Sequence, residues 1–275
     1  LDLIKDIKFI GYASNIMEPL ERVKNAGEYI TVYTLTCVNG NVYQFSYMKF
    51  VEISQELLKA FICFVCVIPL LQQISTVSLS DLNSFLDTDE KKKAFWINIY
   101  NAYTTIYLKP KPEVILKSIS RILFFNKKII HFKDCSFTLN EIEHDIIRKS
   151  KIWWSKGYLS KVCIKPCFNQ LRVQKLDARI HFALNCGGLG CPPIRFYDAN
   201  SIDGQLEVAT HSFLFSEVKK ETNTLNISKL FNWYIGDFGG KKGLIRFFQK
   251  YNVLSSEDNN HKVKYFEYNW EPWIK

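Results

Sequence analysis

The sequence has no apolar run long enough to cross a membrane. The longest, AFICFVCVIPLL at 60–71, spans twelve residues and contains Pro69. A spanning helix needs about 20 residues, so a buried helix is the expected form. Low-complexity tracts and internal repeats are absent too. Hydrophobic residues make up 47% of the 275-residue chain and aromatics 15%, which excludes a disordered segment and allows a sizeable core. No nucleotide-binding glycine fingerprint is present. GDFGGKKG at 236–243 lacks the phosphate-loop spacing and reads as a turn. Eight cysteines are too few for a disulfide scaffold. Reduced thiols are expected, Cys63 and Cys66 as small hydrophobes in the apolar run, and this favours a cytoplasmic location. No secretory leader is seen, although one could have been removed. No cofactor is expected.

Charge is present but uneven. Residues 109–175 hold fifteen Lys and Arg against five Asp and Glu, while the whole chain carries +9. The remainder is therefore close to neutral. A segmental excess of this kind suits an acidic protein, an anionic membrane surface or nucleic acid; the plainer reading is a solvated lysine face. Within it, IRKSKIWWSKGYLSK interleaves lysines with Trp153, Trp154 and Tyr158. At least one tryptophan is expected to pack into the core and one to remain exposed.

Residues 1–50 read as a β-rich segment, with a hairpin signal at Asn39-Gly40. Residues 51–275 read as one α+β domain, its helices packed on an antiparallel or mixed sheet. SLSDLNSFL carries a helix cap at Ser78 or Ser80. Asp87 with Glu90 and Thr138 with Glu141 form candidate capping boxes for helices at 94–108 and 139–156. RIHFALNC reads as a strand, SIDGQLEVATHSFLF as a helix, TLNIS as a strand, and KVKYFEYNW as a terminal strand.

The 94–108 helix is apolar nearly all round, so it must be buried. Asn98, Asn101 and Thr105 nevertheless share one of its faces. A buried amide without partners costs roughly 1–3 kcal/mol, so these groups must bond something specific: a neighbouring loop, a polar side chain or a ligand. Glu143 poses the same problem on the apolar stripe of the next helix. His144 is rotated about 100° from it in an α-helix, so the two do not share a target.

RIHFALNCGGLGCPPIRFY, from Arg179, concentrates chemistry. As a strand it would put His181 and Cys186 on opposite faces. Gly187 and Gly188 would then have to bend the chain before the two could form a pair. The 187–190 amides could form an anion nest. Cys186 and Cys191 have four open fates: nucleophile, disulfide, buried core, or zinc ligands with Cys163 and Cys167, whose spacers are longer than those of typical zinc knuckles. No metal is assigned.

Three stretches taken together, AFWINIYNAY, LNEIEHDIIR and ARIHFALNCGGLGCPP, resemble the domain of unknown function 547 family, over roughly residues 50–275. The run AFICFVCVIPLL departs from that pattern. The resemblance implies a papain-like or transglutaminase-like core, with a thiol starting a buried helix and a histidine following. The matching helix would be 94–108 and the histidine His181. No cysteine lies in 87–108, so the thiol must come from Cys186 or Cys191, or the chain is an inactive relative.

Two functions are thus expected to compete. One is a thiol/histidine-dependent hydrolase or acyltransferase built on His181, Cys186, Cys191, Glu143, Asn98 and Asn101. The other is a non-catalytic binding or scaffold module with a basic surface. Convergence of Asn98, Asn101, Glu143 and His181 on one pocket would favour a site.

Overall fold

A computed structural model describes residues 18–25, 28–36, 42–45, 54, 68–221, 224–255 and 262–273. Near the N-terminus, β1 (Glu18–Asn25), β2 (Glu28–Thr36) and β3 (Val42–Phe45) form an antiparallel sheet in that order. The hairpin expected at Asn39-Gly40 is the β2–β3 pair, with Thr36 opposite Val42; its turn lies outside the described residues. Only the end of the 60–71 run is described. It enters α1 (Ile68–Thr76), where Leu70 and Leu71 are buried. Among the described residues no helix is long and apolar enough to cross a membrane.

α2 (Leu79–Phe85) starts at a capping box between Ser78 and Asp81. α3 (Asp89–Leu108) is the central element, buried along most of its length. Its cap is Thr88, whose hydroxyl accepts from the Lys91 amide, and not the expected Asp87–Glu90 box. Asp87 instead pairs with Lys91 at 2.7 Å. Aromatic packing fixes α3 in the larger core: Phe95 and Trp96 meet edge to face, and Trp96 abuts Phe132 and Phe137. α4 (Ser118–Phe125) follows, then the two-stranded pair β4 (Ile130–His131) and β5 (Ser136–Phe137).

The helix predicted at 139–156 does begin at the Thr138–Glu141 box. It then widens into a π-helix over Glu141–Ile147, with the Arg148 amide bonded to the Glu143 carbonyl at 2.8 Å. It ends well before 156, because Lys149 and Ser150 turn left-handed at φ 52° and 62°. A short 3₁₀ turn (Trp153–Ser155) and α5 (Pro166–Leu171) follow.

Where a strand is expected at RIHFALNC, from Arg179, the chain forms a 3₁₀ helix, Ala178–Phe182. Asp177 caps it by accepting from the Arg179 amide and also holds the Arg179 guanidinium. This local bonding outcompetes the alternating pattern. Ile180, Ala183 and Leu184 belong to the larger core and Phe182 to a second one. His181 is therefore carried on the seam between the two cores.

The second core is built by α6 (Ile202–Glu217), β6 (Val218–Lys220), β7 (Thr224–Ser228), α7 (Leu230–Trp233), α8 (Gly240–Lys250) and β8 (Lys262–Phe266). β7 pairs antiparallel with β6 and parallel with β8. The class is α+β, with small mixed and antiparallel sheets.

Candidate functional site

A cavity of about 300 Å³ opens between the two cores. Glu143, His144, His181, Cys186 and Tyr234 line it, as do the α4 residues Arg121 and Ile122. Three of the residues singled out from sequence (Glu143, His181 and Cys186) thus meet here.

Asn98 and Asn101 do not line this cavity. Asn98 brackets the Tyr197 backbone, donating to its carbonyl at 2.8 Å and accepting from its amide at 3.0 Å. Asn101 donates to the Ala183 carbonyl at 2.9 Å and accepts from the Asn185 amide at 2.8 Å. Both side chains are fully buried, and each both donates and accepts. Asn101 fixes the backbone between His181 and Cys186, so its contribution to the site is positional.

The π-helix corrects the expected geometry of Glu143 and His144. A widened turn rotates successive residues less than an α-helix does, and both side chains reach the same cavity. Glu143 accepts from the Tyr234 hydroxyl at 2.7 Å and the Tyr100 hydroxyl at 3.3 Å. Burial opposes the charge on its carboxyl, while Arg148 and the Tyr234 hydroxyl favour it. Arg148 donates to His144 Nδ1 at 2.7 Å. An arginine only donates, so that nitrogen is the unprotonated one and His144 is neutral. Its 3.6 Å approach to Glu143 is therefore no ion pair. Burial, with the Arg148 charge beside it, pushes the His144 pKa down to about 4.

His181 Nε2 lies 2.8 Å from Asp237 Oδ2, and Arg148 reaches both oxygens of the same carboxylate, at 2.6 and 3.1 Å. The Arg148 and Asp237 side chains are completely buried. Burial opposes the charge on Asp237, yet His181 and Arg148 hold its pKa at about 2. An ionised Asp237 can only accept, so His181 carries its proton on Nε2 and keeps the Nδ1 lone pair. Nδ1 has no hydrogen-bond partner among the described residues. Burial, with Arg148 nearby, lowers the His181 pKa and keeps the ring neutral. The Tyr234 ring stacks on it at 3.8 Å.

Asp237 comes from GDFGG, the stretch that reads as a simple turn. Gly157 and Gly236 permit its approach. A Cβ on Gly157 (φ +87°) would stand 2.1 Å from Asp237 Oδ1, and one on Gly236 would stand 2.5 Å from the Gly157 carbonyl carbon. The signal available in sequence was a carboxylate flanked by glycines inside an otherwise apolar segment.

Cys186 and Cys191 are free, half-buried thiols with sulfurs 2.7 Å apart. The Tyr268 hydroxyl lies 2.9 Å from Cys191 Sγ and 3.4 Å from Cys186 Sγ. The contact with Cys191, together with burial, pushes the Cys186 thiol up. Burial opposes ionisation of Cys191, but bonds donated by Cys186 and Tyr268 bring it down. The glycine loop is not an empty anion nest. The amides of Gly187, Leu189 and Gly190 are bonded to Asn185 Oδ1 and to the carbonyls of Glu271 and Asn269. Nor do four cysteines gather: among the described residues no group of three or more His, Cys, Asp or Glu is placed to hold a metal. Cys163 is exposed, and Cys167 packs on the larger core.

Trp153 and Trp154 are both exposed, at 64% and 61%, against the expectation that at least one would pack inside. The segment is a single 3₁₀ turn rather than a helix with an apolar face. Trp153 stands at the cavity, and the neighbouring α4 exposes Ile119, Ile122 and Leu123.

No curated protein and no solved structure matches the chain. A family model, described as protein of unknown function, DUF547, matches residues 84–214. The match takes in every site residue read from the sequence and stops short of Tyr234, Asp237 and Tyr268. It is narrower than the 50–275 span over which the sequence resembles that family. Residues 84–214, which carry His181, Cys186 and Cys191, are therefore similar to the DUF547 family.

Proposed function

We propose that the cavity is a thiol-dependent acyl-transfer site, a hydrolase or acyltransferase with Cys186 as nucleophile and His181 as base. One observation carries the reading: Cys186 and a histidine already oriented by a buried carboxylate border the same cavity. The Cys186 proton passes to His181 Nδ1 as the sulfur attacks the acyl carbonyl. The carbonyl oxygen becomes an oxyanion beside the Arg121 guanidinium. The tetrahedral adduct collapses, and the leaving group takes the proton from His181. Water or an acceptor hydroxyl or amine then attacks the thioester, giving its proton to His181 and freeing Cys186. Asp237 holds the ring; Tyr234, Glu143 and Asn101 hold its surroundings.

The test is acylation by a short-chain activated thioester. Acyl mass is expected on the tryptic peptide 180–195, absent in Cys186→Ala and slowed by roughly 10²–10⁴-fold in His181→Ala. A reduced protein that takes no acyl group on Cys186 would overturn the reading.

A second reading is favoured by the exposed Ile119, Leu123, Trp153 and Trp154 beside exposed Lys117, Lys149 and Lys156. In it the domain is a non-catalytic module that settles on an anionic membrane surface, tryptophans at the headgroup boundary and lysines against the lipid charge.

A further inference from the structure

We infer that Cys186 and Cys191 are a reversible dithiol–disulfide couple, in which Cys186 meets a low-molecular-weight disulfide in the cavity and Cys191 resolves it. This goes beyond the acyl-transfer reading and does not depend on it.

Three observations carry the inference. The first is division of labour. Cys186 lines the cavity and Cys191 does not, yet their sulfurs touch at 2.7 Å. Thiol–disulfide exchange needs one accessible sulfur and a second within reach of the mixed disulfide. The second is support for charge on the inner sulfur: Cys191 Sγ receives the Cys186 amide at 3.1 Å and the Tyr268 hydroxyl at 2.9 Å. Such donors favour the thiolate form that resolves a mixed disulfide. The third is a backbone held in place around the pair. Gly187 takes φ +95°, the Cys191 amide closes onto the Gly188 carbonyl, and the tail at 269–273 bonds to Gly187, Leu189 and Gly190. The sulfurs are brought together by a loop that does not have to refold to bond them.

The chemistry balances as two exchanges. Cys186 loses its proton and attacks one sulfur of R–S–S–R, forming Cys186–S–S–R and releasing R–S⁻, which takes up that proton as R–SH. Cys191 loses its proton and attacks Cys186 Sγ, closing the intramolecular disulfide and releasing the second R–S⁻, which leaves as R–SH. The protein is oxidised by two electrons and the small disulfide is reduced by two. Excess small thiol reverses both steps.

The test uses the reduced full chain and 2-hydroxyethyl disulfide as the probe, read by mass spectrometry of peptide 180–195 under non-reducing conditions. Wild type is expected to lose two hydrogens from that peptide, retain no adduct there and recover with dithiothreitol. Cys191→Ser should accumulate one hydroxyethylthio group on Cys186. Cys186→Ser should leave Cys191 unmodified over the same time, while exposed Cys163 serves as an internal reference in every sample. A stable adduct on wild-type Cys186, faster modification of Cys191 than of Cys186, or a pair that stays reduced after Cys163 has reacted would each overturn the inference. No acyl donor is involved, so failure here leaves thioester labelling of Cys186 free to succeed, and the reverse also holds.

Discussion

Tyr234 serves two partners at once: its ring lies 3.8 Å from the His181 ring and its hydroxyl donates to Glu143 at 2.7 Å. The two functions can be separated. Tyr234→Phe keeps the stack and removes one donor from a buried carboxylate, which should cost about 1.5–3 kcal/mol in urea unfolding at pH 7. Tyr234→Leu removes the stack as well, and should slow acylation of Cys186 more than the phenylalanine variant does.

Arg148 and Asp237 should be the most expensive charges in the molecule to remove singly. Both side chains are fully buried and bonded to each other. Arg148→Met leaves the carboxylate with His181 alone and should destabilise by about 3–5 kcal/mol in chemical denaturation. Asp237→Asn should cost stability too. It should also shift the His181 tautomer, so its thioester labelling rate should fall by more than its stability loss explains.

Stability should decline on acidification in two stages. A histidine whose folded pKa is depressed stays neutral while the unfolded chain takes up a proton. For His144 that window runs from its ordinary 6.5 down to about 4. His181 contributes in the same sense. Across that range His144 alone is worth on the order of 3 kcal/mol. Asp237 adds a second loss lower down, from about 3.8 to about 2, because its ionised form is the one the fold holds. Denaturant midpoints measured at pH 7, 5.5 and 4.5 should fall in wild type and fall clearly less in His144→Gln. Parallel slopes would show that His144 is not the group responsible.

Asn101→Ala should behave as a site variant without touching the cavity. It leaves the Ala183 carbonyl and the Asn185 amide unpaired inside the core, a loss of about 1–3 kcal/mol per group. Because the backbone between His181 and Cys186 loosens, acylation of Cys186 should slow even under conditions where the variant is fully folded by circular dichroism.

If the membrane reading holds, vesicles containing phosphatidylserine should bind the protein at low salt and release it as ionic strength rises, the Debye length being about 8 Å at physiological salt. Replacing Ile119, Leu123 and Trp154 by Ser should abolish sedimentation with these vesicles while leaving the circular dichroism spectrum unchanged. Unchanged sedimentation would show that the exposed apolar side chains do not contact lipid.

The sequence carried much of this organisation where the signal was local. The Ser78 and Thr138 caps, the asparagines inside an apolar helix and the terminal strand are each read from neighbouring residues. That Asn98 and Asn101 must bond something followed from burial alone. Their partners lie 99 and 82–84 residues away, and no local pattern names them. At 178–182, alternation suggested a strand, and the Asp177 side chain decided for a 3₁₀ turn. The π-helix differs from an α-helix by a shift of hydrogen-bond register, which leaves the apolar stripe recognisable and moves only the directions of Glu143 and His144. Asp237 is not legible as a site residue, because a carboxylate among glycines usually marks a solvent-facing turn.

The crossing of Gly157 and Gly236 sets when the site can come into being as the chain folds. Arg148 and His181 meet their shared carboxylate across 89 and 56 residues, and Glu143 meets Tyr234 across 91. Closures of that span come late, after local helices have formed. On a ribosome, a chain extended only to 214 has His181 and both thiols in place in the sequence and still lacks the groups that orient and enclose them. Cys186 and His181 therefore lack these neighbours until residues 215–273 have emerged and the two loops pass within a methyl group of each other.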